Sequence, residues 1–280
     1  MGDLDERTRW SAEITAELTE HRRTLVLSHA HAARAWGWPV PLGGSGPLTF
    51  TDTSGPVRTG RVRIAVAPLH DDEVRGTRIL VTSPARTVVD CARMLPARDA
   101  LAIADAALAS GRVTPLTLEA ALRRAKGWPG SRQARRVVEV GDGRRESALE
   151  SWSAWAFDER GLARPVWQVD VRDVSGVLLG RVDAWWREGV AGEADGRSKY
   201  RTRALGRGDG DGSGFERVLH EERVREMQMR RTGVQMVRWE ARDVLVAARA
   251  TDLVAYIGGQ LVAVRGLPFN GSVHLPPRPG

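Results

Sequence analysis

The segment Leu179–Tyr200 constrains this chain more than any other. Leu179, Arg181, Asp183 and Trp185 alternate with Gly180, Val182, Ala184 and Trp186, and further on Glu193 and Asp195 share one parity while Ala194 takes the other. Strand side chains repeat every two residues, so the pattern is that of two short strands joined by a tight turn. Asp183, Glu193 and Asp195 can then converge on one sheet surface. Like charges placed so closely repel unless a cation or basic group lies between them, so the arrangement asks for a metal ion or an arginine.

The flanking sequence fits such a sheet. Glu146 and Glu150 lie one turn apart on a helix that carries Leu149, Trp152 and Phe157 and stops at Gly161. Val166–Val171 alternates Trp167, Val169 and Val171 with Gln168 and Asp170, and Asp173–Gly176 reads as a hairpin turn. Glu216–Arg231 reads as a charged helix with Val218, Val224 and Met227 on its buried side, followed by a strand over Val234–Trp239. Asp243 is positioned to cap a last helix ending at Ile257, and the Pro- and Gly-rich stretch from Leu267 is expected to be a disordered tail. The Gly- and Asp-rich stretch Gly206–Gly214 has Asp209, Asp211 and Gly212, but His220 stands where a calcium loop needs its twelfth, acidic ligand. It reads instead as a mobile loop.

The first half has a different character. Glu6–Glu20 is helical by pattern, Thr24–Leu27 is extended, and Ser28 precedes a helix over His29–Trp36 stopped by Gly37 and Pro39. His29 and His31 point apart at i and i+2, which disfavours a shared metal. Leu42–Pro56 reads as a loop, Val62–Val66 as a strand with Arg61 and Arg63 on its outer face, and Ile79–Thr82 as another short strand. Ser83-Pro84 and Thr114-Pro115 are helix starts, and Arg98–Ala109 carries Leu101, Ala104 and Leu108 in one stripe. These features predict a small α/β unit followed by a helical bundle.

Composition sharpens the functional expectation. Arg58–Arg136 carries 15 basic and 7 acidic residues, which makes it the expected polyanion-facing surface, with Arg61, Arg63, Arg123, Arg124, Arg135 and Arg136 as candidate phosphate contacts. The plain alternative is an arginine-rich surface facing water. The single cysteine, Cys91, excludes an internal disulfide, sits in an apolar helical stretch as buried filler, and suits a reducing, cytoplasmic setting. No run is apolar enough to suggest a membrane span.

Glu146-Ser147-Ala148-Leu149-Glu150, Gly180-Arg181-Val182-Asp183, Gly192 to Tyr200 and Gly233 to Trp239 follow one another in an order that resembles the restriction-endonuclease-like PD-(D/E)xK superfamily, in particular its very-short-patch-repair-like branch. Ser28 to Pro39 and Val81 to Asp90 resemble the AbiEi-type antitoxin family. The resemblance implies an α/β (α+β) chain. It has a basic, antitoxin-like domain over residues 1–140 with a shortened N-terminal helical segment, then an endonuclease-like mixed sheet flanked by helices over 141–266, and a tail over 267–280. It further implies phosphodiester hydrolysis of DNA in defence or repair. Asp183, Glu193 and Glu150 would hold Mg2+ (or Mn2+), Asp195 would be a second metal ligand or orient the water, Lys199 would stabilise developing charge, and Glu222 would anchor Lys199 or Arg197. Asp195 stands where the superfamily's third motif often has Lys, and Lys199 lies four residues on. The other reading implied by the first half is a non-catalytic, antitoxin-type DNA-binding regulator, with a cognate toxin as a further partner. A metal-free ion-pair lattice, with Asp183 bound to Arg181 or Arg238 and other arginines on Glu193 and Asp195, is the alternative for the carboxylates themselves.

Overall fold

The computed structural model describes residues 2–20, 24–52, 57–58, 62–187, 189–196 and 223–275. Arg61, Arg197, Lys199, Val218, Glu222 and the stretch Gly206–Gly214 lie outside them. The fold is α+β, with two mixed sheets flanked by helices, in two compact units, Met1–Gly143 and Arg144–Pro279.

In the first unit the strands are β1 (Val26–Leu27), β2 (Leu48–Asp52), β3 (Val57–Arg58), β4 (Val62–Val66), β5 (Val74–Arg75) and β6 (Val81–Thr82), ordered β3-β4-β2-β1-β6-β5. β2 runs antiparallel to β1, with Leu27 opposite Phe50, and parallel to β4, with Phe50 opposite Ile64. Leu25, Leu27, Leu48, Phe50, Val62 and Ile64 form the core with Ile14 of helix α1 (Gly2–Glu20), and Trp10 and Leu18 pack against it. The loop expected over Leu42–Pro56 therefore contains a central strand. Gly43, Gly44 and Gly46 all precede the strand and Gly55 follows it, and burying Leu48 and Phe50 contributes about 1.5–3 kcal/mol each, which outweighs the turn signals around them.

Helix α2 (His29–Ala35) follows Ser28, whose hydroxyl bonds the His29 Nδ1 at 2.8 Å instead of capping the helix. The bundle comprises α3 (Pro84–Met94), α4 (Ala97–Ala109), α5 (Pro115–Arg124) and α6 (Ser131–Val140). Thr114 caps α5 by accepting the Thr117 N–H at 3.2 Å. Val88, Val89, Leu101, Ile103, Leu118 and Val137 are buried between these helices, and Cys91 is fully buried, its thiol pushed well up by desolvation and by Asp90.

The second unit is a sheet of β7 (Val166–Asp173), β8 (Leu178–Trp186), β9 (Val190–Asp195), β10 (Gln235–Glu240) and β11 (Gly271–His274), ordered β10-β9-β8-β7-β11. β7, β8 and β9 are successively antiparallel, whereas β9 and β10 are parallel, with Glu193 beside Arg238 and Asp195 beside Glu240. The β7–β8 turn is held by Asp173, whose Oδ1 accepts the Ser175 and Val177 N–H groups, each at 2.9 Å. Helix α7 (Ala148–Glu159) packs Phe157 on Trp186 and, edge to face, on Trp239, with ring centroids 5.9 and 5.4 Å apart. The Trp239 Nε1–H donates to Ser153 Oγ at 2.7 Å. Helix α8, described over residues 223–231, contributes Met229 to a core with Val169, Val171, Val182 and Trp185.

Three expectations change here. Met229 is fully buried while Met227 is 47% exposed. The inward face of α8 carries the charged Arg225 one turn before Met229, so hydrophobicity alone reads the wrong phase. Asp243 is the third residue of the helix Ala241–Leu245, not its cap, and its carboxylate accepts the Glu240 N–H at 2.8 Å. The expected tail contains a strand, because Gly271–His274 pairs antiparallel with β7, Val273 facing Val171.

Candidate functional site

Helix α7 begins at Ser147, whose hydroxyl accepts the Glu150 N–H at 3.2 Å and donates to Glu150 Oε1 at 2.7 Å. This reciprocal cap turns Glu150 back over the first turn, where its Oε2 accepts the Glu146 N–H at 3.1 Å. Glu150 is fully buried. Its Oε2 also accepts Gln168 Nε2 from β7 at 2.9 Å, and the same amide nitrogen lies 3.3 Å from Asp183 Oδ1 on β8. The second Asp183 oxygen accepts the Ala194 N–H of β9 at 2.8 Å. One amide thus joins two carboxylates from a helix and a strand. Burial, and then the charge of Asp183, push the Glu150 carboxyl above its ordinary value, while the Gln168 and Ser147 hydrogen bonds pull it back.

Gln168 reaches this position through an uncommon backbone. Trp167 pairs with Ala184 and Val169 with Val182 on either side, yet Gln168 itself has φ of 56°. A non-glycine residue in the left-handed region costs about 1–3 kcal/mol and persists only where its surroundings enforce it. Such strain concentrates where a side chain must be aimed.

Glu193 and Asp195 meet arginines. Arg225 of α8 donates from Nη2 to Glu193 Oε1 at 3.0 Å and from Nη1 to the Arg181 carbonyl at 3.1 Å. A Cβ on Gly180 would come within 2.7 Å of Arg225 Cδ, so the missing side chain is what lets Arg225 lie across β8. Arg238 approaches Asp195 at 3.7 Å and bonds Glu226 at 3.1 Å. Arg181 binds Asp170 at 2.8 Å, which raises the Arg181 pKa.

Of the expected site residues, Asp183 and Glu150 come together. Glu193 lies near them on β9 beneath Arg225, and Asp195 belongs to the Arg238–Glu226 ion-pair group. Lys199 and Glu222 fall outside the described residues. Among the described residues no group of three or more His, Cys, Asp or Glu side chains is arranged to hold a metal ion. In kind, the Glu150–Asp183 pair suits a hard divalent cation: both donors are oxygens, and a positive ion would relieve the repulsion that raises Glu150. Sequence reasoning missed Gln168, which reads as one polar member of an alternating strand, and it missed Arg225, hidden in a run of charged residues.

The expected phosphate contacts of the first unit are spread over several elements. Arg63 is half-buried on β4. Arg123 and Arg135 both approach Glu119, at 3.9 and 3.8 Å, and Arg136 is exposed on α6. Arg124 forms a two-pronged bond to Asp72 at 2.9 and 2.8 Å. Exposed ion pairs contribute only about 0–1 kcal/mol each, so a phosphate competes readily for these guanidiniums. The buried His29 Nδ1 bonds the Ser28 hydroxyl at 2.8 Å. The His31 Nδ1 accepts the Thr49 N–H at 3.3 Å, and burial holds its pKa at about 4. No described helix is long and apolar enough to cross a membrane.

No family model matches the chain, and no solved structure matches it. Two uncharacterised Mycobacterium tuberculosis proteins, MT2308 of strain CDC 1551 / Oshkosh and Rv2248 of strain H37Rv, are each 38% identical over 107 residues. That match covers 38% of this chain and 39% of each relative, so it spans about two fifths of the length of these curated relatives.

Proposed function

We propose that this chain is a DNA-binding protein of the cytoplasm whose second unit carries a Mg2+-dependent, endonuclease-type site for phosphodiester hydrolysis. The observation behind this reading is the Glu150–Gln168–Asp183 constellation. Two desolvated carboxylates are held against their own repulsion by one strained amide, an arrangement that costs stability and gains purpose when a cation and a phosphate arrive.

Asp183 and Glu150 would hold the metal, with Glu193 joining when Arg225 gives way, and a bound Mg2+ would polarise the phosphate and acidify an attacking water. Gln168 fixes the mutual orientation of the two carboxylates. Arg225, released from Glu193, is placed to meet phosphate oxygens with its planar fork. The basic surface of the first unit supplies salt-sensitive affinity for the backbone of DNA.

Calorimetric titration of Mg2+ and Mn2+ into the wild type and Asp183→Ala, with plasmid nicking assayed on both, tests this. Metal binding and nicking should both disappear in the variant. Nicking that persists in Asp183→Ala overturns the assignment.

The closed Arg225–Glu193 pair favours a second reading, a non-catalytic antitoxin-type regulator that binds DNA and pairs with a toxin. In that case DNA binding falls with salt and is the same in both proteins, with no metal dependence.

A further inference from the structure

A second concentration of positive charge lies in the first unit, far in sequence from the carboxylates of β8 and β9. A cavity of about 250 Å3 is bounded by the start of α3, by Asp72 to Arg75 before β6, and by α5. Its volume is several times the ~30 Å3 share of a single water. Four arginines line it, Arg75, Arg86, Arg112 and Arg124, against two carboxylates, Asp72 and Glu73.

The local pairing leaves this charge unevenly met. Arg124 takes both Asp72 oxygens and approaches Glu73 at 3.6 Å. Arg75 donates to the carbonyls of Asp72 and Val74, at 2.9 and 2.8 Å, so its charge is unneutralised by those bonds. Arg112 is exposed, with its guanidinium over the Trp36 ring at 5.2 Å. Arg86, with 4% of its side chain exposed, binds Asp90 at 2.8 Å and Glu73 at 2.9 Å, stacks on Trp128, and keeps an Nη2 that has no hydrogen-bond partner.

The backbone adds to the same preference. Ser83 precedes α3 without a side-chain capping bond, its carbonyl accepts the Thr87 N–H at 2.8 Å, and Pro84 has no N–H, so the cavity adjoins the positive end of an eleven-residue helix. Helix start, buried arginine and exposed arginines bound one cavity, and together they match the charge and the several acceptor oxygens of a phosphate.

We infer that this cavity is a binding site for a phosphate monoester dianion, formed by the N-terminus of α3 with Arg75, Arg86, Arg112 and Arg124. The site is independent of the carboxylates of the second unit, and its ligand is a small or terminal phosphate, because its volume of about 250 Å3 accommodates a phosphoryl group.

Full-length protein titrated calorimetrically with inorganic phosphate, thymidine 5′-monophosphate and thymidine, at constant ionic strength in chloride, tests the inference. Phosphate and the nucleotide should bind and thymidine should not. Nucleotide binding without binding of inorganic phosphate assigns the site to a nucleotide's phosphoryl group, and binding of both assigns it to the phosphate itself. Arg112→Ala and Arg75→Ala change exposed side chains and should each weaken binding by about tenfold, the loss of roughly 1.4 kcal/mol. Asp183→Ala should leave it unchanged. Absence of heat with both phosphates, equal binding of thymidine, or affinity unaltered in both arginine variants overturns the inference.

Discussion

At the scale of single residues, Gln168 carries the most information. Its strained backbone and its amide act in opposite directions on stability, and Gln168→Gly separates them. Glycine adopts φ of 56° without steric cost, whereas alanine keeps the strain and both lose the bonds to the carboxylates, so Gln168→Gly should be destabilised less than Gln168→Ala, while metal affinity falls about 10–100-fold in both, as it does when groups behind metal ligands are removed. Denaturant unfolding alongside calorimetry reads both, and an unaltered affinity would leave the amide with a purely structural role. Glu150 gives a second prediction. Its carboxyl is raised in the fold above the ordinary 4.5, so the folded state holds the proton more tightly than the unfolded chain. That contribution is complete below the ordinary value and is lost as pH rises through the raised one. Glu150→Gln removes the titration, so its stability relative to wild type should climb with pH over that interval. Parallel urea-stability curves for the two proteins would contradict it. Both carboxylates were legible in the sequence because charge in an apolar context is conspicuous. Gln168 was not, since an uncharged amide between Trp167 and Val169 looks like any outward-facing residue, and only its φ distinguishes it.

At the scale of elements, β9 shows how closely the site is packed from behind. A Cβ on Gly192 would lie 2.6 Å from the ring of Trp239 and 3.1 Å from that of Trp186. Neither indole has room to retreat, because Phe157 packs against both and Ser153 holds the Trp239 nitrogen. Gly192→Ala should therefore cost about 1–3 kcal/mol through overpacking, seen as a lower melting temperature, and should displace the adjoining Glu193. An unshifted melting point would mean that the tryptophans yield freely. Elements with regular alternation or a proline start, such as β7, β8, α3 and α5, were readable in sequence. Those that depend on tertiary partners were not. Leu48–Asp52 is a strand because β1 and β4 hold it on both sides, and α8 turns an arginine inward because a glycine on β8 makes room for it.

At the scale of the whole molecule, the two units divide the expected chemistry. The first holds the basic surface and the phosphate cavity, and the second holds the carboxylates. Each has its own sheet and core, so a change in one site should leave the other's ligand binding intact, as the paired use of Asp183→Ala and Arg112→Ala requires. The order of the elements in the second unit followed from pattern and spacing, and the α+β class from the family resemblance. The contribution of the last strand did not, because four residues after a proline-containing stretch carry too little alternation to announce themselves. That strand has a practical consequence. β11 covers the outer side of β7, and Phe269 packs on Trp185 with ring centroids 5.2 Å apart. A chain ended at Gly266 would bare the backbone donors and acceptors of β7 beside an uncovered indole, which is a template for strand addition between molecules. Light scattering should show that shortened protein self-associating at concentrations where the full chain does not. Unchanged scattering would mean that β7 needs no cover. The strand Gly271–His274 thus serves as a guard on the edge of β7.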